Sequence, residues 1–473
     1  MGSRSQRLRV QGRRILRLGG EYGRIRFALS VSLLLIAAGV ASALNYRGNS
    51  VCELPAALLD RAVSTTHAGA AQPPALRKMV GQMLLVGFRG TTVDAAHPII
   101  RDIREYGLGG VILFDYDVVL RTQGRNIRDV AQVRELTACL QAAARQGEGP
   151  LQFPRDSAGR PVQVRAGGTQ PEAPVVDGPQ SVSSVQEKIF GNTDGRTHRE
   201  QASLPLFIAV DQEGGRVARL KPEHGFSAML SAATLGQGTV EAARAAGEHA
   251  GRMLADVGIN LNFAPVLDVN VKADSPVIGA LGRSFSADPA VVAAQGRAFA
   301  QGLNATGVIA CFKHFPGHGS AGADSHLGVT DVTETWSDME LIPFSEVLRA
   351  PLHRAVMTGH LFNARLDADH PATLSHKVIA EILRDRLGYD GVVITDDMQM
   401  KAIADEYGLE EAVKRAVLAG ADILLFGNNL QYDPDIVPTV SDILLTLVRS
   451  GEIPQERIEA SYRRILQLKE GLR

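Results

Sequence analysis

The strongest constraint on the fold is a regular alternation of short apolar runs with longer segments of helical character. Eight such runs occur in the chain, and most are rich in Val, Ile, Leu and Phe with little interruption by polar residues. Short, nearly continuous apolar runs are typical of strands buried on both faces of a parallel sheet. The runs span residues 83–88, 110–114, 206–211, 259–269, 308–315, 355–362, 391–397 and 421–427.

The segments between the runs have the pattern of surface helices. Residues 239–258 and 409–420, for example, are alanine-rich and amphipathic. Alternating strands and helices predict an α/β fold. Eight repeats predict a closed (β/α)8 TIM barrel that forms a single catalytic domain. An open, doubly wound sheet is the alternative.

Polar residues follow several of the predicted strands, where the functional residues of a barrel are expected. Asp211 ends one strand and offers a carboxylate to ligand hydroxyls, with Arg219 nearby. Arg283 lies between small residues that would let its guanidinium enter a cleft. The polar residues at the strand ends are Asp211, Asp268, Lys313, His314, His360, Asp396 and Asp397.

The N-terminal region differs from the rest of the chain. Residues 1–26 carry eight arginines and one acidic residue, and the next eighteen residues, 27–44, carry no charge. This pattern predicts a basic cytoplasmic lead (1–26), a transmembrane signal anchor (27–46) and a linker (47–75) before a barrel domain at 76–473. The domain would then be membrane-anchored and extracytoplasmic. A signal peptide cleaved after the small residues 41–43 is the alternative.

Composition excludes several other classes. The 473 residues carry a formal net charge of −1, which gives no electrostatic basis for binding nucleic acid. Three cysteines cannot form a disulfide framework. Residues 146–203 are rich in Gly, Pro, Gln and Ser and lack apolar periodicity, so we interpret them as a surface insertion within the barrel domain.

The segment 313–326, Lys-His-Phe-Pro-Gly-His-Gly-Ser-Ala-Gly-Ala-Asp-Ser-His, is compatible with three chemistries. A metal site would use the imidazole and carboxylate groups, but a lysine beside it would repel the ion. A serine nucleophile is disfavoured because His318 replaces the first glycine of the Gly-x-Ser-x-Gly pattern around Ser320. The third chemistry is proton transfer by His326 with Asp324 as its partner. The candidate metal ligands are His314, His318, Asp324 and His326.

Adjacent carboxylates end the seventh predicted strand. Because neighbours on a strand point in opposite directions, we expect one of Asp396 and Asp397 to face the barrel mouth and the other to point away. We also expect Asp397 to cap the helix that follows. One carboxylate nucleophile and one proton donor suffice for retaining glycoside hydrolysis.

Together these motifs resemble the family 3 glycoside hydrolases, and in particular their β-N-acetylglucosaminidase branch. The resemblance runs from about residue 78 to 473 and is interrupted by the insertion. The Asp-Ser-His element separates this branch from the β-glucosidases of the family. The matching motifs lie at residues 211–217, 262–268, 282–285, 313–319, 324–326 and 395–398.

The resemblance implies a role for each candidate residue. Asp396 would be the nucleophile and His326 the acid/base, with Asp324 as its partner. The implied function is that of a retaining exo-β-N-acetylglucosaminidase that acts on peptidoglycan fragments or chitin oligosaccharides, as a monomer without metal or cofactor. A metal-dependent barrel hydrolase, a β-glucosidase of the same family and a non-catalytic cell-wall binding protein are the alternatives. The residues expected to bind the sugar are Asp211, Arg219, Arg283, Lys313 and His314.

Overall fold

Eight parallel strands form the centre of the structure. The computed structural model describes residues 74–145, 204–324 and 328–472. The strands pair in chain order from β1 to β7, and β8 pairs with β1. A single parallel bridge between Ile394 and Ile423 joins β7 to β8, so the barrel is nearly closed. The strands are β1 (Leu84–Gly87), β2 (Gly110–Ile112), β3 (Phe207–Val210), β4 (Leu261–Asn262), β5 (Ile309–Phe315), β6 (Arg354–Thr358), β7 (Val392–Thr395) and β8 (Leu424–Phe426).

The barrel confirms the fold predicted from the apolar runs, and the open-sheet alternative is wrong. Each of the eight runs contributes one strand. The fourth run is the least regular, because only two of its eleven residues form β4. Pro265 follows shortly after and has no N–H to donate to a neighbouring strand. Pairing resumes at one bridge between Val266 and Lys313.

Helices surround the strands and follow the amphipathic segments. Thr239 caps the N-terminus of the helix that begins at Val240, by accepting a hydrogen bond from Ala242 N. The α-helices are α1 (Pro74–Gln82), α2 (Pro98–Glu105), α3 (Val130–Arg145), α4 (Ala232–Leu235), α5 (Val240–Asp256), α6 (Pro289–Asn304), α7 (Ile342–Leu348), α8 (Lys401–Tyr407), α9 (Leu409–Ala419), α10 (Ile436–Arg449) and α11 (Gln455–Glu470).

Shorter elements complete the fold. A π-type helix spans Lys377–Arg386. Four 3₁₀ turns span Pro222–His224, Gly279–Leu281, Asp338–Leu341 and Ala372–Leu374. Two small ladders lie outside the barrel: Tyr116–Asp117 pairs antiparallel with Thr122–Gln123, and Thr330–Asp331 pairs parallel with Leu361–Phe362.

A buried lysine closes the N-terminal end of the barrel. Lys469, on α11, donates hydrogen bonds to Gln82 Oε1 (2.7 Å) and Gly109 O (2.9 Å). Its ammonium lies 4.6 Å from the centre of the Phe207 ring. All three partners sit at the beginnings of strands β1, β2 and β3. Burial lowers the pKa of Lys469 to about 7. Lys469 therefore links the beginnings of three neighbouring strands at this end of the barrel.

The flanks of the insertion lie at that same end. Gln141, near the end of α3, donates to Leu206 O (2.8 Å) and accepts from Leu206 N (3.1 Å), immediately before β3. The insertion 146–203 itself lies outside the described residues, as do the lead, the 27–46 segment and the linker up to residue 73, whereas residues 74 and 75 already belong to α1. Within the part of the chain that the structure describes, no helix has the length and hydrophobicity needed to cross a bilayer.

Candidate active site

A cavity opens at the C-terminal end of the barrel, where the sequence predicts functional residues. Its volume is about 380 Å³. Of the predicted site residues, only His326 lies outside the described residues. The other seven all line the cavity: Asp211, Arg219, Arg283, Lys313, His314, Asp324 and Asp396.

One wall of the cavity is formed by a cluster of charged side chains around a buried lysine, the Lys313 cluster, which comprises Lys313, Asp211, Glu213, Arg283 and Arg219. Lys313 Nζ lies 2.8 Å from Asp211 Oδ1 and 2.7 Å from Glu213 Oε1. Glu213 in turn binds Arg283 through both oxygens, at 2.7 and 2.8 Å. The Arg219 guanidinium approaches the other oxygen of Asp211 at 3.5 Å. The cluster therefore joins the ends of β3 and β5 to the loop after β4.

Mutual attraction keeps the cluster charged despite its burial. Burial by itself would raise the pKa of Glu213, but Arg283 and Lys313 outweigh it and hold this pKa at about 2. Burial would also raise the pKa of Asp211, but the charges of Lys313 and Arg219 bring this pKa below its ordinary value. Burial would lower the pKa of Lys313, and the two carboxylates raise it instead. At neutral pH the cavity thus presents fixed ammonium, guanidinium and carboxylate groups.

Glu213 is a site residue that was not predicted from the sequence. The only available signal was its place in the 211–217 motif, two residues after Asp211. Glu213 is 7% exposed, and its carboxylate lies between two cations supplied by distant parts of the chain. Those partners are 70 and 100 residues away in sequence, so their approach is a property of the closed barrel.

His314 is held in one tautomer from both sides. Its Nδ1 lies 2.6 Å from Asp268 Oδ2, and a carboxylate only accepts, so Nδ1 carries the proton. Arg283 Nη2 lies 3.3 Å from Nε2, and a guanidinium only donates, so Nε2 is unprotonated. Asp268, fully buried, also accepts from His314 N and His318 N. The strand-end residue Asp268 is therefore a positioning group beneath the site.

The two adjacent carboxylates both line the cavity, contrary to our expectation that only one would. The physical reason is that β7 ends at Thr395, so the alternation of a strand does not extend to Asp396 and Asp397. Asp396 Oδ1 accepts a hydrogen bond from Asp397 N (2.9 Å).

Asp397 fixes a turn and does not cap a helix. Its Oδ1 accepts from Gln399 N (3.0 Å) and from Gly427 N at the end of β8 (2.9 Å). The predicted helix-capping role is wrong, because α8 begins only at Lys401, with Met400 at its N-cap position. The contact with β8 requires glycine, since a Cβ at Gly427 would lie 2.4 Å from Asp397 Oδ2.

His360 supports this turn. Its Nε2 lies 2.9 Å from Asp397 O, and a carbonyl oxygen only accepts, so Nε2 carries the proton. Its Nδ1 lies 2.9 Å from Thr373 Oγ1. This strand-end histidine therefore holds the backbone next to the carboxylates.

A buried carboxyl group fixes the start of the loop that carries Asp324. Glu340 Oε2 accepts from Gly319 N (2.9 Å), and Trp336 Nε1 donates to Pro316 O (3.2 Å). Gly317 has a φ of +123°, and a Cβ there would lie 2.5 Å from Glu340 Cβ. Burial raises the pKa of Glu340 to about 7, and the charge of Asp268 adds to the increase.

The metal-site alternative depends on the 313–326 segment. Among the residues that the structure describes, no three His, Cys, Asp or Glu side chains come together in a way that would hold a metal ion. Both ring nitrogens of His314 instead take part in the hydrogen bonds with Asp268 and Arg283.

Replacing Glu213 by glutamine should destabilise the protein strongly. The substitution leaves Lys313 and Arg283 buried with only part of their neutralising charge. Breaking a buried ion pair costs about 3–5 kcal/mol. The free energy of unfolding, measured with urea, should fall by that amount. Glu248→Gln is the matched control: Glu248 pairs with Arg252 on the surface, and such pairs contribute about 1 kcal/mol or less. An equal loss of unfolding free energy in the two variants would contradict the prediction that Glu213 is needed to neutralise the buried cations.

Glu340 should make stability depend on pH. Its pKa is raised from 4.5 to about 7 in the folded protein, so the folded state binds more protons than the unfolded state between these values. The stability contributed by Glu340 should therefore be fully present below about pH 4.5 and be lost as the pH rises through 7, by about 3 kcal/mol in total. In Glu340→Gln this contribution is absent. Parallel pH profiles for wild type and variant in urea unfolding would refute the prediction.

Comparisons with known proteins point to one family. Residues 181–468 match the Glycosyl hydrolase family 3 N terminal domain. Beta-hexosaminidase A from Pseudoalteromonas piscicida is 30% identical over 87% of this chain and 64% of its own length. Beta-hexosaminidase LpqI from Mycobacterium tuberculosis is 40% identical over 56% of this chain and 68% of its own length.

A solved structure extends the likeness to three dimensions. The glycoside hydrolase family 3 β-N-acetylglucosaminidase from Paenibacillus sp. FPU-7 superposes with a TM-score of 0.65 at 33% identity. The match covers 84% of this chain and 62% of that one. The chain thus spans about two thirds of the length of these relatives. With the family motifs at the mouth of a (β/α)8 barrel, the chain belongs to glycosyl hydrolase family 3.

Proposed function

We propose that the chain is a retaining exo-β-N-acetylglucosaminidase. The observation that carries the proposal is that Asp396, Asp324 and the Lys313 cluster share one cavity. Its volume of about 380 Å³ is near the lower end for small-molecule sites and suits one sugar residue. The names of the relatives support the same activity.

The first step forms a covalent intermediate. An Asp396 carboxylate oxygen attacks C1 of the sugar as the bond from C1 to the leaving oxygen breaks. The leaving oxygen takes a proton from His326, the role that the family resemblance implies for this residue. Asp324 would accept a hydrogen bond from the ring of His326 and stabilise its protonated form.

The second step releases the sugar. His326, now neutral, removes a proton from water, and the water oxygen attacks C1 as the bond to Asp396 breaks. Two inversions at C1 give net retention. During both steps the charged groups of the Lys313 cluster bind the sugar hydroxyls, and Arg219 and His314 line the same cavity.

The proposed substrates are peptidoglycan fragments with a terminal β-linked GlcNAc, and chitin oligosaccharides are second. The proposed location of the barrel is outside the cytoplasm, anchored by residues 27–46. The support for this location is the sequence alone: eight arginines precede eighteen uncharged residues.

The activity is tested with chromogenic substrates. The purified full chain should release 4-nitrophenol from the β-GlcNAc glycoside, should do so in the presence of EDTA, and should be much slower on the β-glucoside. Activity on the glucoside alone would favour the β-glucosidase alternative, and loss of activity with EDTA would favour the metal-dependent one.

Two single variants serve as controls for this assay. Asp396→Ala should lower turnover by at least about a thousandfold without unfolding the protein. Added azide should then form an α-linked glycosyl azide in the space left by the carboxylate. Asp397→Ala removes the acceptor of two backbone hydrogen bonds and should cost about 1–3 kcal/mol of stability. If Asp397→Ala alone abolishes turnover in a folded protein, the nucleophile is wrongly assigned.

The location is tested by protease protection. In intact spheroplasts of a host that expresses the full chain, added protease should digest the barrel domain. A tag placed before residue 1 should stay protected, because the arginine-rich lead remains in the cytoplasm. Protection of both parts would refute the proposed orientation.

A further inference from the structure

The cavity has one wall that the proposed chemistry does not use. Besides the charged cluster, three apolar side chains line the cavity while remaining partly open to solvent. Their exposed fractions are 36% for Tyr116, 44% for Val118 and 38% for Leu430. Exposed apolar groups that adjoin a ligand site commonly mark a surface that a ligand covers.

This apolar wall is rigidly built. Tyr116 and Val118 belong to the hairpin after β2, and Leu430 belongs to the loop after β8. Asn429 joins the two segments, because its side chain donates to Tyr116 O (3.1 Å) and accepts from Val118 N (3.0 Å).

A buried ion pair holds the hairpin from below. The Asp117 carboxylate lies 2.5 Å from Arg125 Nη1 and 2.7 Å from Arg89 Nε. Arg125 also donates to Asn428 O (2.5 Å), and its side chain is fully buried. The exposed side chains of Tyr116, Val118 and Leu430 are therefore presented by a fixed framework.

The position of the wall points to one part of the substrate. The charged residues come from the ends of β3 and β5 and from the loop after β4, whereas Asp396 follows β7. If the terminal sugar is bound by the buried cluster with C1 at Asp396, the substituent on C1 extends toward the opening of the cavity. The three apolar residues are 36–44% exposed, whereas the side chains of Lys313 and Glu213 are only 3% and 4% exposed, so the apolar wall lies in the outer part of the cavity.

We propose that Tyr116, Val118 and Leu430 form the leaving-group site and select substrates whose aglycone presents an apolar face. A second pyranose ring has such a face in its C–H groups, and so does an acyl or alkyl substituent. The inference rests on the proposed function, since it assigns the part of the substrate that follows the cleaved bond.

The test uses S-alkyl 1-thio-β-GlcNAc ligands, which resist hydrolysis and differ only in apolar length. Binding of the methyl, butyl and hexyl compounds to the full chain is measured by titration calorimetry. The Kd should fall by up to about fourfold for each methylene that contacts the wall. In Val118→Ser/Leu430→Ser the Kd of the methyl compound should stay the same and the gain with alkyl length should largely disappear.

Leu120→Ser is the matched control. Leu120 lies on the same hairpin and is 57% exposed, but it is not among the residues that line the cavity. This variant should keep the full dependence on alkyl length. Equal Kd values for the three compounds in wild type, or equal losses in Leu120→Ser and the double variant, would overturn the inference. If the methyl compound fails to bind and 4-nitrophenyl β-GlcNAc is not cleaved, the proposed function fails as well.

Discussion

The geometry of the site depends on one ammonium group shared by two carboxylates. Lys313 lies between Asp211 and Glu213, and Glu213 extends the network to Arg283. Such a cluster gains little net stability, because the attraction between its charges repays the cost of taking them out of water. The cluster instead fixes the relative positions of the chain segments that carry its charges. Any shift of β5 relative to β3, or of the loop after β4, leaves a buried charge without its partner.

Buried carboxylates that need their partners also lie below the cavity. Asp268 sets the tautomer of His314 and accepts two backbone hydrogen bonds, one from His314 N in β5 and one from His318 N just after it. Glu340 holds the next turn through Gly319 N. The floor of the cavity is therefore fixed by buried carboxylates on two sides. The described loop continues from this floor to Asp324, next to the segment on which His326 lies.

The sequence predicted most of the fold and most of the titratable residues at the cavity. Strands buried on both faces must be apolar along their whole length, so all eight could be located without a structure. The polar residues that ended these strands were then brought together by the barrel, as for Asp211 and Lys313. Family resemblance added Arg219 and Arg283, whose local sequence is equally compatible with solvent exposure.

The errors and omissions share a cause. Glu213, Asp268 and Glu340 act through partners that are distant in sequence, and no local pattern distinguishes a carboxylate that neutralises a buried cation from one that faces solvent. The mistaken helix cap at Asp397 arose because its Oδ1 accepts in part from Gly427 N, directly after the neighbouring strand β8. The apolar wall could not be predicted for the same reason, because Asn429 joins segments that are more than 300 residues apart in sequence.

Local sequence patterns were enough to establish the (β/α)8 order, the strand ends and the family, because hydrophobic period and contiguous motifs are local properties of a chain. The tertiary structure alone decided which charges neutralise one another, which carboxylates reach the cavity and which apolar side chains border it. These depend on barrel closure, which brings strand ends from distant parts of the chain to within hydrogen-bonding distance.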